Sequence, residues 1–544
     1  MKSRLLVLTA LLTAGITGAA PSAPVTISPA IIPQPQSMQV STGQPGFCLK
    51  NGIKVHYSVS RSELGRAAIR AFMAAGLPVL PEENEGELTV EITPHDNPEW
   101  HAISITPAGI ALKIASEKAL PLAAQTLAQS MVNDTEGQPA LPCMQVEDAP
   151  LLPYRGLMLD PCRHPLTVDE TRKMLRIMAR YKLNRLHWHL ADDQGWRIEI
   201  KSYPRLTEVG SHRAETPTLA NHEIGDGTPT KPFYFTQEQI SYVVAYANSL
   251  GITVIPEIEV PGHSSAAIAA YPELGNSDIP GYAPRVATTW GVLPYTYAPK
   301  PETMEFLEKV FAEVCELFPR AEFIHIGGDE APRDQWQRSP YVRQFMQQHG
   351  MRHAGQVQHW FTHRMAELLA RHNRRLVGWD EIIDDGAVPA DAVVMYWRSW
   401  VRPGSLYRAL RSGHDVIQSP DSHFYFNFCQ GKLPDDPRYK PHGSLTAEQD
   451  WRHVYSYNPI PADISPEQRR HLIGLQANCW SESIADGHKL EYQCVPRICA
   501  LAEVAWRPAE LRNADEFLQR VLAHYPWFDE QQINYRREDG TPAE

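Results

Sequence analysis

The sequence predicts an α/β protein: a (β/α)8 barrel preceded by a small α+β domain. Three observations carry that expectation. From Pro153 onward, short apolar segments alternate with helical patterns, and such alternation builds a parallel sheet covered by helices. Eight such units fit into about 350 residues, enough for a closed barrel with long loops. Before Pro150 the rhythm differs, with short alternating segments around one helical pattern.

The first 20 residues stand apart. Lys2 and Arg4 make a positive start, Leu5 to Leu12 is apolar, and Gly18, Ala19 and Ala20 are small. This is the pattern of a secretory signal peptide cut near Ala19 to Ala23, which predicts export to the periplasm or the medium. Residues 21–150 then hold the α+β domain. It opens with an extended, Pro-rich stretch from Pro29 to Gly46. A helix follows near Arg61 to Ala75, then strands at Glu87 to Ile92 and Gly109 to Ile114. The barrel is expected over 151–510. Its strands are Arg155–Leu159, Arg185–His189, Ile252–Ile255, Phe323–Ile326, Arg375–Gly378, Val393–Tyr396, Val416–Gln418 and Ile473–Gln476. Helices are expected at Val168–Tyr181, Gln237–Leu250, Glu302–Leu317, Val357–Ala370 and Arg497–Ala505, with a C-terminal helix and tail over 511–544. Two segments, Ala191–Phe235 and Ser419–Pro466, read as long loops, and long loops in a compact domain are commonly functional.

Composition narrows the function. The 544 residues are 43% hydrophobic and 21% charged, ordinary for a globular protein, and the net charge is −12. An acidic chain lacks the basic footprint that a nucleic-acid backbone or an anionic membrane surface requires. No apolar run long enough to span a bilayer follows the leader, so no transmembrane segment is expected. An exported chain permits disulfides, but the pairing of its eight cysteines is left open. None lies in a C-x-x-C pair, which gives zinc or redox chemistry little support.

Catalytic groups of such barrels sit at the C-terminal ends of the strands. Asp160 and Arg163 follow the first strand. His187, His189, Asp192 and Asp193 end or follow the second, and Glu257, Glu259 and His263 the third. Asp329 and Glu330 follow the fourth. Trp379, Asp380 and Glu381 follow the fifth, Trp397 the sixth, and Trp480 with Glu482 the eighth. Carboxylates and indoles converging on one face suit a sugar, whose C–H faces pack on aromatic rings. Glycoside cleavage needs a proton donor and stabilisation of a positive anomeric carbon. Neighbours on a regular strand point to opposite faces, but Gly327 and Gly328 permit an irregular backbone that lets Asp329 and Glu330 both reach the site. Two other readings stand beside this one. His187-x-His189 with Asp192 could ligate a metal in a hydrolase, and a non-catalytic sugar-binding protein could retain the aromatic walls.

The run His325-Ile326-Gly327-Gly328-Asp329-Glu330 resembles the signature of family 20 glycoside hydrolases, the β-N-acetylhexosaminidases. The resemblance extends to Arg155–Asp160 with Arg163 and His164, to His187–Arg197, and to Pro256–His263. It covers Gly378–Glu381 and Gly474–Glu482 as well. It implies removal of terminal, non-reducing β-linked GlcNAc or GalNAc from a glycan, with no cofactor and no metal. The substrate's own 2-acetamido oxygen would attack the anomeric carbon and form an oxazolinium-type intermediate with overall retention. By the same resemblance Glu330 is the general acid and base; burial among tryptophans is expected to raise its pKa, and a cationic His263 to push it back. Asp329 orients the acetamido group, and Asp192 with His263 supports the acid. Arg155 binds ring hydroxyls, while Trp379, Trp397 and Trp480 wall the sugar. Tyr425 meets the acetamido oxygen and Glu482 the outer hydroxyls. Asn427 stands where many relatives carry Asp, which bears on the O4 and O6 contacts because Asn donates as well as accepts.

Overall fold

Eight parallel strands close into a barrel in the computed structural model, which describes residues 21–56, 62–82, 86–218, 221–401, 404–431 and 448–543. The expected signal segment, residues 1–20, lies outside the described residues. The chain divides into two compact units, Met1–Pro150 and Leu151–Glu544.

The first unit is α+β. A five-stranded sheet runs in the order Ser37–Ser41, Cys143–Asp148, His101–Thr106, Gly109–Ile114, Leu88–Ile92. Each inner strand alternates buried and exposed residues, as in Ile103, Ile105, Leu112 and Ile114 facing inward. Helices Glu63–Ala74 and Leu120–Gln129 contribute Ala68, Phe72, Ala123 and Leu127 to the same apolar cluster. The Pro-rich stretch is extended as expected. Part of it forms Ser37–Ser41, and the strand Gln44–Cys48 joins a second, four-stranded sheet.

In the second unit the barrel strands are β1 (Tyr154–Leu159), β2 (Arg185–His189), β3 (Thr253–Glu257) and β4 (Phe323–His325). They continue with β5 (Arg375–Trp379), β6 (Val393–Tyr396), β7 (Val416–Gln418) and β8 (Leu472–Cys479), each paired in parallel with the next, and β8 closing on β1. The sequence pattern stops β8 at Gln476, yet pairing continues through Asn478↔Met158 and Cys479↔Leu159. Polar residues hide that extension, because Gln476 and Asn478 point into a barrel with a polar interior. Tyr154 donates to Gln476 Oε1 at 2.7 Å, and Gln476 Nε2 lies 3.0 Å from His187 Nδ1 on β2.

The outer helices that place the strands are α1 (Val168–Arg180), α2 (Gln237–Ser249), α3 (Pro301–Leu317), α4 (Gly355–Arg371), α5 (Ser405–Arg411), α6 (Gly487–Cys494) and α7 (Arg497–Trp506). Thr167 with Glu170 and Thr236 with Gln239 form capping boxes that start α1 and α2, and Pro301 occupies the first turn of α3. Met174, Leu175, Ile177 and Met178 bury the inner face of α1.

The excursion after β2 is folded around Arg197. Its guanidinium donates to the carbonyls of Pro161, Cys162, Ser211 and Phe233 at 2.6–2.9 Å. One buried fork of donors thus ties two points of the loop, Ser211 and Phe233, to the turn at the top of β1. The other long segment carries short helices Asp421–Phe424 and Trp451–Ser456; residues 432–447 lie outside the described residues. No described helix is long and apolar enough to cross a membrane.

Candidate active site

The turn after β4 decides the geometry. Gly327 (φ 66°) and Gly328 (φ 87°) take the left-handed region, and so does Glu330 (φ 47°). A Cβ on Gly327 would lie about where the Glu259 carboxylate packs, so that position has room only for glycine. Gln358 of α4 donates to Gly328 O at 2.6 Å and holds the turn from behind. Two residues adjacent in sequence thereby reach one imidazole. His263 Nε2 lies 3.7 Å from Asp329 Oδ2 and 3.5 Å from Glu330 Oε2. The two carboxylates sit at different depths: the Asp329 side chain is 11% exposed and that of Glu330 37%.

His263 itself stands at φ 44° on the loop after β3. Its other nitrogen, Nδ1, is 2.9 Å from Asp193 Oδ2 and 3.5 Å from Asp192 Oδ1. Asp193 is fixed in turn by the backbone N–H of Ser265 at 2.9 Å. Asp192 Oδ2 lies 2.7 Å from both Arg163 and His189 Nε2. Arg163 also pairs with Asp160 at 3.0 Å, donates to Gln194, and lies over the Trp480 ring. Beneath this layer Glu257 gathers His187, His189 and His325, and accepts from Trp379 Nε1 at 3.0 Å. The two ring nitrogens of His189 face Glu257 and Asp192. Burial brings His187 down to about 4, so it stands neutral beside Glu257.

Aromatic residues form the wall. Trp379 and Trp480 have ring centroids 5.7 Å apart, and Tyr425 is 6.3 Å from Trp480. Trp397 stacks parallel to Tyr425 at 6.0 Å, its indole N–H donating to Glu381 Oε2 at 2.8 Å. Trp379 and Trp480 are buried, as is Tyr425. Glu482 and Asn427 follow on the β8 and β7 loops. Glu482 Oε2 and Asn427 Oδ1 are buried without a hydrogen-bond partner among the described residues.

Charge is distributed unevenly over the cluster. Burial would lower the pKa of His263, but Asp192 and Asp193 dominate and hold it well above the ordinary histidine value, so it is cationic. Burial pushes Asp329 up to about 7 despite His263, with Glu330 and Glu257 pushing in the same direction. Burial also acts on Glu330, but the hydrogen bond and charge of His263, with help from Arg163, bring it below the ordinary Glu value. The expected raised pKa of Glu330 is therefore corrected: the cationic imidazole outweighs the partial burial, and Asp329 is the carboxyl of the two that burial drives upward.

A second expectation is corrected by strand geometry. Arg155 does not reach the site. It is the second residue of β1, about 16 Å along the strand from Asp160 at 3.3 Å per residue. Its side chain points outward to the helix layer, lies over Trp506 of α7, and donates to the carbonyls of Lys182 and Leu152 at 2.9 and 2.8 Å. Arg163, after the C-terminal end of β1, is the arginine that stands beside Asp192 and Trp480. The signal was present, because Arg163 follows the C-terminal end of β1 whereas Arg155 starts it. Asp193, named after β2 without a role, shares with Asp192 the support of His263. Glu257 and Glu381, the partners of Trp379 and Trp397, also belong to the site. The remaining expected residues, Glu330, Asp329, His263, Asp192, Trp379, Trp397, Tyr425, Trp480, Asn427 and Glu482, all lie at the C-terminal face, Trp379 as the last residue of β5 and the others on the segments that follow the strands.

Comparison with known proteins bears on this arrangement. Residues 152–509 match the family description "Glycosyl hydrolase family 20, catalytic domain", and residues 28–149 match "Glycosyl hydrolase family 20, domain 2". A β-hexosaminidase of Porphyromonas gingivalis is 41% identical over 400 residues; the match covers 73% of this chain and 48% of that protein. A β-hexosaminidase of Akkermansia muciniphila is 32% identical over 455 residues, covering 81% of this chain and 87% of the relative. Among solved structures, the exo-β-N-acetylglucosaminidase of Vibrio harveyi in complex with N-acetylglucosamine superposes with a TM-score of 0.81. It has 29% identity and covers 96% of this chain and 80% of its own.

Proposed function

The chain belongs to glycosyl hydrolase family 20 and is a β-hexosaminidase, and from that premise we propose how its own residues divide the reaction. The substrate is a glycan ending in β-linked N-acetylhexosamine, and the terminal residue enters the pocket walled by Trp379, Trp397, Tyr425 and Trp480. The observation that carries the assignment is the pair of carboxylates held at two depths by one imidazole. We assign Glu330, the more exposed carboxylate, to the leaving oxygen. We assign Asp329, deeper and close enough to Tyr425 for its charge to act on that hydroxyl, to the 2-acetamido group.

The electrostatics supply a proton for the first step. In the free site the proton rests on Asp329 and Glu330 is ionised. A bound acetamido N–H needs an acceptor, which favours the anionic form of Asp329. The proton then belongs on Glu330, which faces the same His263 nitrogen. Anionic Asp329 stabilises the positive charge that develops as the acetamido oxygen attacks C1, while Glu330 protonates the departing oxygen. In the second step Glu330 takes a proton from water. Asp193 and Asp192 keep His263 cationic, and Arg163 keeps Asp192 ionised.

Asn427 and Glu482, with unpaired buried oxygens, are the proposed contacts to O4 and O6. The same proposal places the mature protein outside the cytoplasm. The support is the positive start, the apolar Leu5–Leu12 run and the small residues at Gly18 to Ala20. Net charge of −12 supports a glycan partner over nucleic acid. Rates on aryl β-GlcNAc, β-GalNAc and plain β-glucoside test the reading. Both acetamido sugars are expected to be cleaved and the glucoside to be inert, because it lacks the attacking oxygen; comparable cleavage of the glucoside would overturn it.

A further inference from the structure

Cys479 is the last residue of β8 and Cys494 the last of α6, and their sulfurs lie 3.2 Å apart. Both are buried, at 1% and 0% exposure. Among the described residues no other two cysteine sulfurs face each other. Cys162 points to the His189 carbonyl and Cys143 to the Pro45 carbonyl, each at 3.2 Å. A disulfide has its sulfurs about 2.0 Å apart, so bonding asks these two to close by about 1.2 Å, within the reach of small side-chain rotations.

The pair brackets the segment that carries Trp480, Ser481 and Glu482. Trp480 faces Trp379, Tyr425 and Arg163, and Ser481 donates its N–H to Asp160 at 3.0 Å. A bond between the two cysteines would close that segment into a short loop at both ends, anchoring it to the barrel strand and to the helix that follows.

We propose that Cys479 and Cys494 form a disulfide that staples the β8 loop and with it one wall of the sugar pocket. The proposal goes beyond the catalytic reading and rests on export only for its oxidant, a donor disulfide of the kind that oxidising compartments maintain. One cysteine thiolate attacks the donor and releases one thiol. The second thiolate then attacks the resulting mixed disulfide and releases the other. Two protons leave Cys479 and Cys494, and two electrons pass to the donor, which departs as two thiols. Both sulfurs are out of solvent in the folded barrel, so the exchange belongs to folding, before α6 covers β8. The finished bond is then shielded from reductant.

The test refolds the full chain from denaturant in two arms, one with reduced and oxidised glutathione and one with reductant alone. Each arm is then unfolded without reductant, alkylated and mapped by mass spectrometry. The oxidised arm is expected to lose the mass of two hydrogens and to yield a peptide linking 479 to 494, with the other six cysteines alkylated. It is also expected to keep activity longer on heating than the reduced arm. Cys494→Ser should abolish the link and leave Cys479 alkylated. Full alkylation of both cysteines in the oxidised arm, or their pairing with other cysteines, overturns the proposal. A bond formed in glutathione together with free thiols in protein taken from its own host would overturn the export reading and leave the pairing standing.

Discussion

Asp329 and Glu330 share one imidazole, yet their removal should have opposite signatures. Glu330→Gln removes the proton donor, worth about 10²–10⁴ in rate, but aryl substrates with very good leaving groups need no proton. Its loss should be large on poor leaving groups and small on good ones. Asp329→Asn removes charge from the acetamido side, a loss of about 10²–10³ that should persist on every leaving group. Steady-state rates on a series of aryl glycosides check both, and equal losses across the series for Glu330→Gln would exchange the roles. The pH profile follows from the same pair. Below about 7 the pair holds one proton, resting on Asp329 in the free enzyme, and above it that proton is lost. kcat/KM should therefore fall as pH rises through about 7. In Asp329→Asn that limb should move to lower pH, because Glu330 by itself titrates below the ordinary Glu value. The two arginines give a third contrast. Arg163→Met should raise KM and lower kcat/KM. Arg155→Met should leave KM unchanged and lower stability by about 1–3 kcal/mol in urea unfolding, because it strands buried carbonyls. The two carboxylates were legible in the sequence as a pair behind two glycines. Both arginines lie in the motif around β1, and strand parity and strand end separate them: Arg155 starts β1 and points outward, whereas Arg163 follows its C-terminal end. Which aspartate bonds His263 depends on backbone angles that adjacency in Asp192-Asp193 does not reveal.

At the scale of elements, the turn between β4 and Asp329 carries more of the chemistry than any strand. Gly327→Ala would force a left-handed backbone, at about 1–2 kcal/mol, and drive a methyl into the Glu259 carboxylate. Activity should drop far more than stability, because the turn aims both carboxylates. Near-normal kcat/KM in Gly327→Ala, with a wild-type circular dichroism spectrum, would contradict this role. Apolar strands and capped helices were readable because their burial pattern is written in residue type. β6 and β7 run as expected, and α1 starts at its Thr167–Glu170 capping box. The end of β8 was not, because its inward residues Gln476 and Asn478 are polar, as suits a barrel whose interior is a hydrogen-bond network.

For the whole molecule, the barrel brings the C-terminal end of every strand to one face, and eight separate sequence segments meet there. That convergence was legible from the order of the motifs, since strand ends of a closed barrel share a face whatever lies between them. The depth of each residue was not, because depth depends on loop paths such as the one Arg197 ties together. The central claim is that the attacking group on C1 is the substrate's acetamido oxygen, with Asp329 and Glu330 serving it and the leaving oxygen in turn. Such a reaction inverts C1 twice. Time-resolved proton NMR of an aryl β-N-acetylglucosaminide with the wild-type protein measures it directly. The β-anomer of GlcNAc is expected first, with the α-anomer growing in only by mutarotation; the α-anomer as first product would contradict the account.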